Sequence, residues 1–303
     1  MIYEVISEQA IRRRKHWVSE IVKISGNFGQ DYTRVEAELS SEVNVGGIPV
    51  IVDHLRLCGV IPESYGHDSS QEKLYSKYTD ALLAVAFRSL GLKSLVLTER
   101  ADAADVEVYA KDYSFVADAK AFRLSRTAKN QKDFKVQAMD GWRRDNKYAV
   151  VVAPLYQLPN ASSQIYLQAI SRDVCLLSYS HVAILETVAM RLGLELAQQM
   201  LTNVLVAIAS LSPSKSASDY WQAVNKTFFT AHPDVESFWQ QEKRANLESI
   251  NAAKTEGLSY LAQLRQEIMG LSHEEALRQL IVKNKIDSKV AVLNRVADNG
   301  LLG

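Results

Sequence analysis

The residues with the clearest chemical potential are Asp105, Asp118 and Lys120. Asp118-Ala119-Lys120 closes the apolar run Phe115-Val116-Ala117. Alternate side chains of a strand share a face, so Asp118 and Lys120 point one way and Ala119 the other. Asp105 opens a second alternating run, Asp105-Val106-Glu107-Val108-Tyr109, thirteen residues upstream. Paired as a hairpin, the two runs bring two carboxylates together beside an ammonium. Carboxylate oxygens are hard ligands suited to Mg2+, which polarises a phosphodiester, and a neighbouring lysine orients or deprotonates the attacking water. The constellation points to metal-assisted phosphodiester hydrolysis, with Asp105, Asp118 and Lys120 catalytic and both acids on the metal.

The Asp-x-Lys spacing alone is weak evidence, since it also occurs at Asp133, Asp145 and Asp287, and a structural ion pair satisfies it equally well. Context gives Asp118 its weight: an apolar strand leads in, an acid precedes it, and a basic segment follows. Lys120 to Lys147 carries nine basic residues against three acids, while the chain as a whole has 35 of each. A local excess of +6 in an otherwise acidic chain indicates a polyanion-binding surface. Within it Lys120, Arg123, Arg126, Lys129, Lys132 and Lys135 recur every third residue. On a helix that spacing drifts around the surface; on an irregular loop it can follow a phosphate backbone. A solvated charged face is the plainer reading. The interleaved Ser125, Asn130, Gln131 and Asp133, however, are types that read base edges, with Asn or Gln bidentate on adenine and Asp accepting from cytosine N4. Two further acids are candidates for an accessory role, Glu72 and Glu99. His54, His67, His181 and His273 lack any ligand or nucleophile pattern and read as packing, capping or surface residues.

The elements that must position these groups are legible in outline. Ser7 to Ile24 has helical spacing and stops at Gly26. Ser69-Ser70-Gln71-Glu72 is a capping box opening a helix that ends at Gly91. The period then falls to two, predicting strands at Leu95–Leu97, Asp105–Tyr109 and Ser114–Lys120. A helix of poor periodicity is expected over Arg126 to Trp142, then buried strands over Tyr148–Ala153 and Val174–Ser178. Helices follow over His181–Leu192, Leu196–Leu211 and around Val235 to Met269, and Ser272-His273-Glu274-Glu275 forms a second capping box. No internal repeat, phosphate-binding glycine loop or Pro/Gly/Ser-rich linker occurs. The expectation is one elaborated nuclease domain over 1–303, its catalytic core about 69–181 and a helical region about 181–303.

Composition sets the outer bounds. With 303 residues, 47% hydrophobic and 23% charged, the chain can bury a sizeable core without staples. Cys58 and Cys175 lie in separate apolar runs, as reduced core cysteines do. No secretory pattern and no apolar run of transmembrane length is present, so a cytoplasmic protein without membrane association is expected.

Phe115 to Lys135, reading FVADAKAFRLSRTAKNQKDFK, resembles the HindIII restriction endonuclease family along its whole length, as do Gln71-Glu72-Lys73-Leu74 and the run Tyr148 to Pro154. The resemblance is clear over about 69–154 and extends more weakly to about 181. Packing does not demand so polar a run, which makes it far more specific than Asp-x-Lys. It implies an α/β (α+β) fold: a PD-(D/E)xK nuclease core with a central mixed sheet flanked by helices and helical additions at both termini. It further implies a type II restriction enzyme that acts as a homodimer on double-stranded DNA. The site implied is the palindrome AAGCTT, cut after the first A to leave 5′-phosphate ends, with Mg2+ as cofactor and Mn2+ able to substitute. A cognate DNA methyltransferase is the implied functional, not physical, partner. On this resemblance Asp105 and Asp118 are the two acids, Lys120 the lysine and the Ala119 carbonyl a metal ligand. Asn130, Lys132 and Asp133 fall among the major-groove readers. From the basic segment itself, independently of the resemblance, Arg123, Ser125, Arg126, Lys129, Gln131 and Lys135 are the further DNA-binding candidates. Ala104 stands where the motif's proline would precede the first acid. The competing readings are an inactive DNA-binding protein and a structure-selective repair or junction nuclease on the same core.

Overall fold

In a computed structural model, residues 4–97, 104–126 and 131–294 are described, with Gln131 and Val292 described through their backbone alone. The chain forms two compact units, Met1–Thr255 and Glu256–Gly303. The first holds a five-stranded sheet in the order β1-β2-β3-β4-β5, formed by β1 (Lys93–Val96), β2 (Val106–Tyr109), β3 (Ser114–Ala119), β4 (Tyr148–Ala153) and β5 (Val174–Ser178). β1, β2 and β3 run antiparallel as a meander, and β3, β4 and β5 run parallel. Burial follows from this division. β4 and β5 are buried along their whole lengths, as parallel strands covered on both faces must be, whereas β1 and β2 alternate between core and solvent.

Four helices precede the sheet: α1 (Glu8–Val22), α2 (Phe28–Gly46), α3 (Ile48–Leu57) and α4 (Ser70–Ser89). Ser7 caps α1 by accepting from the Ala10 N–H. α2 and α3 escape a reading based on long periodic runs because they abut; Gly47, at φ +66, ends one and begins the other. Only glycine adopts that backbone without strain, and it turns the chain sharply between the two helices.

α4 is the pillar of the core. Ser69 accepts from the Glu72 N–H, but Glu72 reaches back to the N–H of Asp68 rather than of Ser69, so the capping box is formed one residue out of register. From Tyr78 to Phe87 every residue of α4 is buried, and the helix packs on β1, β2 and β3.

The helix expected over Arg126 to Trp142, whose residues 127–130 lie outside those described, is the main departure among the described residues. Gln131–Phe134 forms a 3-10 turn and α5 covers only Val136–Trp142. Lys135 separates them with φ +48, a left-handed conformation that no helix interior accommodates. α6 (Gln164–Ser171), α7 (Tyr179–Arg191), α8 (Leu194–Ala209) and α9 (Ala217–Phe229) complete the helical wrapping, and α10 (Val235–Met269) passes into the second unit. His181 is a capping residue: Ser178 accepts from its backbone N–H, and its Nδ1 accepts from the Ser178 N–H. In the second unit α11 (His273–Lys283) starts with the Ser272/Glu275 box made in both directions and is followed by α12 (Ile286–Asn294).

One core contact carries a pH prediction. Glu186 on α7 is fully buried, and its carboxyl meets Ser89 Oγ of α4 at 2.6 and 2.7 Å. Burial pushes its pKa up to about 8, against the opposing Ser89 hydrogen bond. An acid whose pKa is raised by folding binds its proton more tightly folded than unfolded, so it erodes stability as pH climbs from the ordinary carboxylate range towards 8. The melting temperature of the native protein is expected to fall across that window relative to Glu186→Gln, the gap widening steadily. A constant gap from pH 5 to 8 would contradict the assignment.

Candidate active site

β2 and β3 supply the hairpin on which the chemistry depends. Val106 lies opposite Ala117 and Tyr109 opposite Ser114, so one step beyond the paired strands Asp105 lies opposite Asp118. The Asp105 carbonyl is held from the other side by the Leu97 N–H at 2.9 Å. Asp118 is wholly buried near the end of β3 and ion-paired through Oδ2 with Lys120. The Lys120 backbone is clamped twice, its N–H donating to Val152 of β4 at 2.7 Å and its carbonyl accepting from the Tyr179 hydroxyl at 2.9 Å. The three residues singled out by spacing are therefore brought together.

The structure adds two groups that the sequence reading missed. Lys77 and Asp80 stand three residues apart on α4 and share a helix face. The Lys77 ammonium pairs with Asp105 and lies 3.6 Å from Asp80. Asp80 is buried and accepts from the Ala119 N–H at 3.4 Å, which holds the Asp118–Ala119 peptide. The available signal was an acid within a helical stretch whose next seven residues, Ala81 to Phe87, are all apolar.

Three carboxyls and two ammonium groups thus share one largely buried cluster, and their proton affinities diverge accordingly. Burial raises Asp80 well above the carboxylate range, with the charges of Asp105 and Asp118 adding to the effect. Burial also pushes Asp118 up to about 6, Lys120 opposing and Asp105 reinforcing it. Burial acts upward on Asp105 too, but its contact with the Asp118 carboxyl, Lys77 and Lys120 outweigh it and leave Asp105 below its usual value. The surroundings thus favour the charged form most at Asp105 and oppose it most at Asp80.

The donor set fits a small hard cation. With both acids ionised, Asp118 Oδ1 is a buried oxygen without a hydrogen-bond donor, a costly state unless something cationic meets it. Carboxylates of Asp105 and Asp118, with the Ala119 carbonyl between Asp118 and Lys120, make an all-oxygen set of the kind Mg2+ prefers.

The other candidates are placed differently. Glu72 is not in the cluster; it pairs with Arg123 at 3.3 Å and caps α4. Glu99, Lys129 and Asn130 lie outside the described residues. Arg123 donates to the carbonyls of Tyr65 and Gly66 at 2.9 Å each and is mostly buried. Ser125 donates to Glu63 through both N–H and Oγ at 3.0 and 2.7 Å. Both tie the start of the basic segment to the loop before α4. Arg123→Met is expected to lower unfolding free energy by about 2–3 kcal/mol in urea, since it strips donors from two carbonyls and a carboxylate. A change within experimental error would mean that its contacts with Tyr65, Gly66 and Glu72 do not stabilise the fold. Arg126 pairs with Asp133 at 2.5 Å and lies over the Phe122 ring. Lys132 and Lys135 are exposed, Lys135 near the Trp142 ring.

A mixed five-stranded sheet flanked by helices, with two acids and a lysine brought together at the β2–β3 hairpin, is consistent with a nuclease fold of the restriction-endonuclease type. The match is closer than class: the chain belongs to the HindIII restriction endonuclease family, whose family model matches residues 15–297. It is also 34% identical over 251 residues to the Type II restriction enzyme HindIII of Haemophilus influenzae, covering 80% of this chain and 82% of that protein. The protein is accordingly a type II site-specific deoxyribonuclease with DNA as substrate, and such enzymes generally use a divalent metal. No described helix is long and apolar enough to cross a membrane.

Proposed function

We propose that this enzyme cleaves double-stranded DNA at the palindrome AAGCTT, after the first A of each strand, with Mg2+ held by Asp105, Asp118 and the Ala119 carbonyl. The observation that carries the reading is Asp105 facing Asp118 across the β2–β3 hairpin with Lys120 paired to Asp118. The choice of site rests on the family membership and on the likeness of Phe115 to Lys135 to that family.

The bound cation supplies Lewis-acid polarisation of the scissile phosphate and lowers the pKa of water. Lys120, its backbone clamped from β4 and α7, orients the attacking water and takes up or passes on its proton at Nζ. Asp80, accepting from the Ala119 N–H, keeps the Asp118–Ala119 peptide in place. Asn130, Gln131, Lys132 and Asp133 read base edges, and Arg126, Lys129 and Lys135 hold phosphates. Arg123 and Ser125 anchor that segment from behind.

A palindrome presents two scissile bonds related by a two-fold axis, and a chain with one site matches it as a homodimer. A methyltransferase of the same specificity would protect host sites. The test is cleavage of short duplexes carrying AAGCTT against duplexes differing by one base pair. Each substitution is expected to reduce the rate by at least about tenfold, since a lost base contact is worth about 1–3 kcal/mol. Equal cutting of all duplexes would leave a nuclease without this specificity.

A further inference from the structure

We propose that Lys77 is a resident counter-cation of the carboxylate cluster: in the metal-free enzyme its ammonium holds Asp105 and Asp80, and it releases Asp105 when a divalent cation is loaded. The proposal rests on the reading of Asp105 and Asp118 as the metal-binding acids.

The charge balance motivates it. Asp80 and Asp118 are almost fully buried, and Asp105 faces Asp118, so without a cation the cluster gathers negative charge where water cannot screen it. Lys120 is committed to Asp118. Lys77 is the only other ammonium among the described residues shown in contact with these acids, and it touches both remaining carboxyls.

The two lysines differ in freedom. Lys120 has its backbone fixed on both sides of the residue and a side chain only 12% exposed. Lys77 projects from a helix, its side chain 26% exposed on a flexible four-carbon stem. It can withdraw towards solvent without disturbing α4, whose hold on the core comes from its apolar residues. An ammonium carries one charge and no preferred coordination geometry, so a dication that also engages Asp118 Oδ1 outcompetes it for Asp105. Lys77 thereby keeps the acids converged while the site is empty and sets a threshold for loading.

The probe is Mn2+ alone, without DNA, with free Mn2+ followed by electron paramagnetic resonance. Lys77→Met is expected to bind Mn2+ about tenfold more tightly than the native enzyme, because the competitor is gone. Its metal-free melting temperature should fall below native and recover on Mn2+ addition, while Lys77→Arg retains the native affinity or weakens it. Unchanged or weaker Mn2+ binding by Lys77→Met, with Asp118→Asn still losing the ion, would overturn the proposal alone. Mn2+ binding untouched by Asp118→Asn would instead remove the metal from this cluster and bring down the underlying reading. If Lys77→Met does not fold, acetylation of lysines in the native enzyme, read by mass spectrometry, decides the matter. Lys77 should label faster with Mn2+ present, and equal or slower labelling contradicts its release.

Discussion

Asp118→Asn is expected to reduce cleavage by at least about 10³-fold, roughly 4 kcal/mol of barrier, while sequence-specific DNA binding in Ca2+ or EDTA persists. The substitution is nearly isosteric and removes one negative charge from a wholly buried position at the end of β3. Its neighbours in the cluster are Lys120, Asp105 and the helix acid Asp80, not base-reading groups. Chemistry and recognition should therefore separate cleanly. The protein itself should not weaken, because an ionised Asp118 carries an oxygen with no donor and its burial already disfavours the charge. A gel-shift and cleavage assay on one duplex checks both halves. Loss of specific binding at an unchanged melting temperature would place Asp118 in recognition.

Lys120→Ala should produce the second-largest loss, about 10²–10⁴-fold in cleavage, the range spanned by a positioned proton-transfer group. Its geometry is more constrained than that of an ordinary surface lysine. The backbone is fixed by Val152 and Tyr179, and the side chain is directed at a carboxylate rather than at water. Affinity for DNA without metal should change little, since one mostly buried ammonium adds little to binding dominated by exposed cations. Lys120→Arg should not restore the rate: the guanidinium stays protonated and its planar fork does not reproduce a point donor. Full activity in Lys120→Ala would make the Asp118 pair purely structural.

The catalytic hairpin was the most legible part of the chain. Alternation in Asp105–Tyr109 and Ser114–Lys120 predicts both strands, and a short turn over 110–113 forces Asp105 opposite Asp118. Tyr148–Ala153 and Val174–Ser178 were equally plain, because buried parallel strands read as unbroken apolar runs. Asp80 and Lys77 were not, because their place in the site depends on how α4 crosses the sheet, a tertiary fact that local pattern does not encode. Glu72 shows the converse. Its position invited an accessory catalytic role, yet at the first turn of α4 it meets Arg123 and a backbone N–H instead. Charge alone likewise made Arg123 a DNA contact, whereas the fold turns it inward onto Tyr65 and Gly66. The helix expected over Arg126 to Trp142 is broken at Lys135, which takes a positive φ between the buried Phe134 and Val136.

The most direct test is to incubate the purified enzyme with a plasmid of known sequence, once with Mg2+ and once with EDTA, and to sequence the ends produced. Fragments formed only with Mg2+, all ending at A/AGCTT with 5′-phosphates on both strands, are the predicted result. Ends scattered over many sequences, or defined cuts that persist in EDTA, would contradict it.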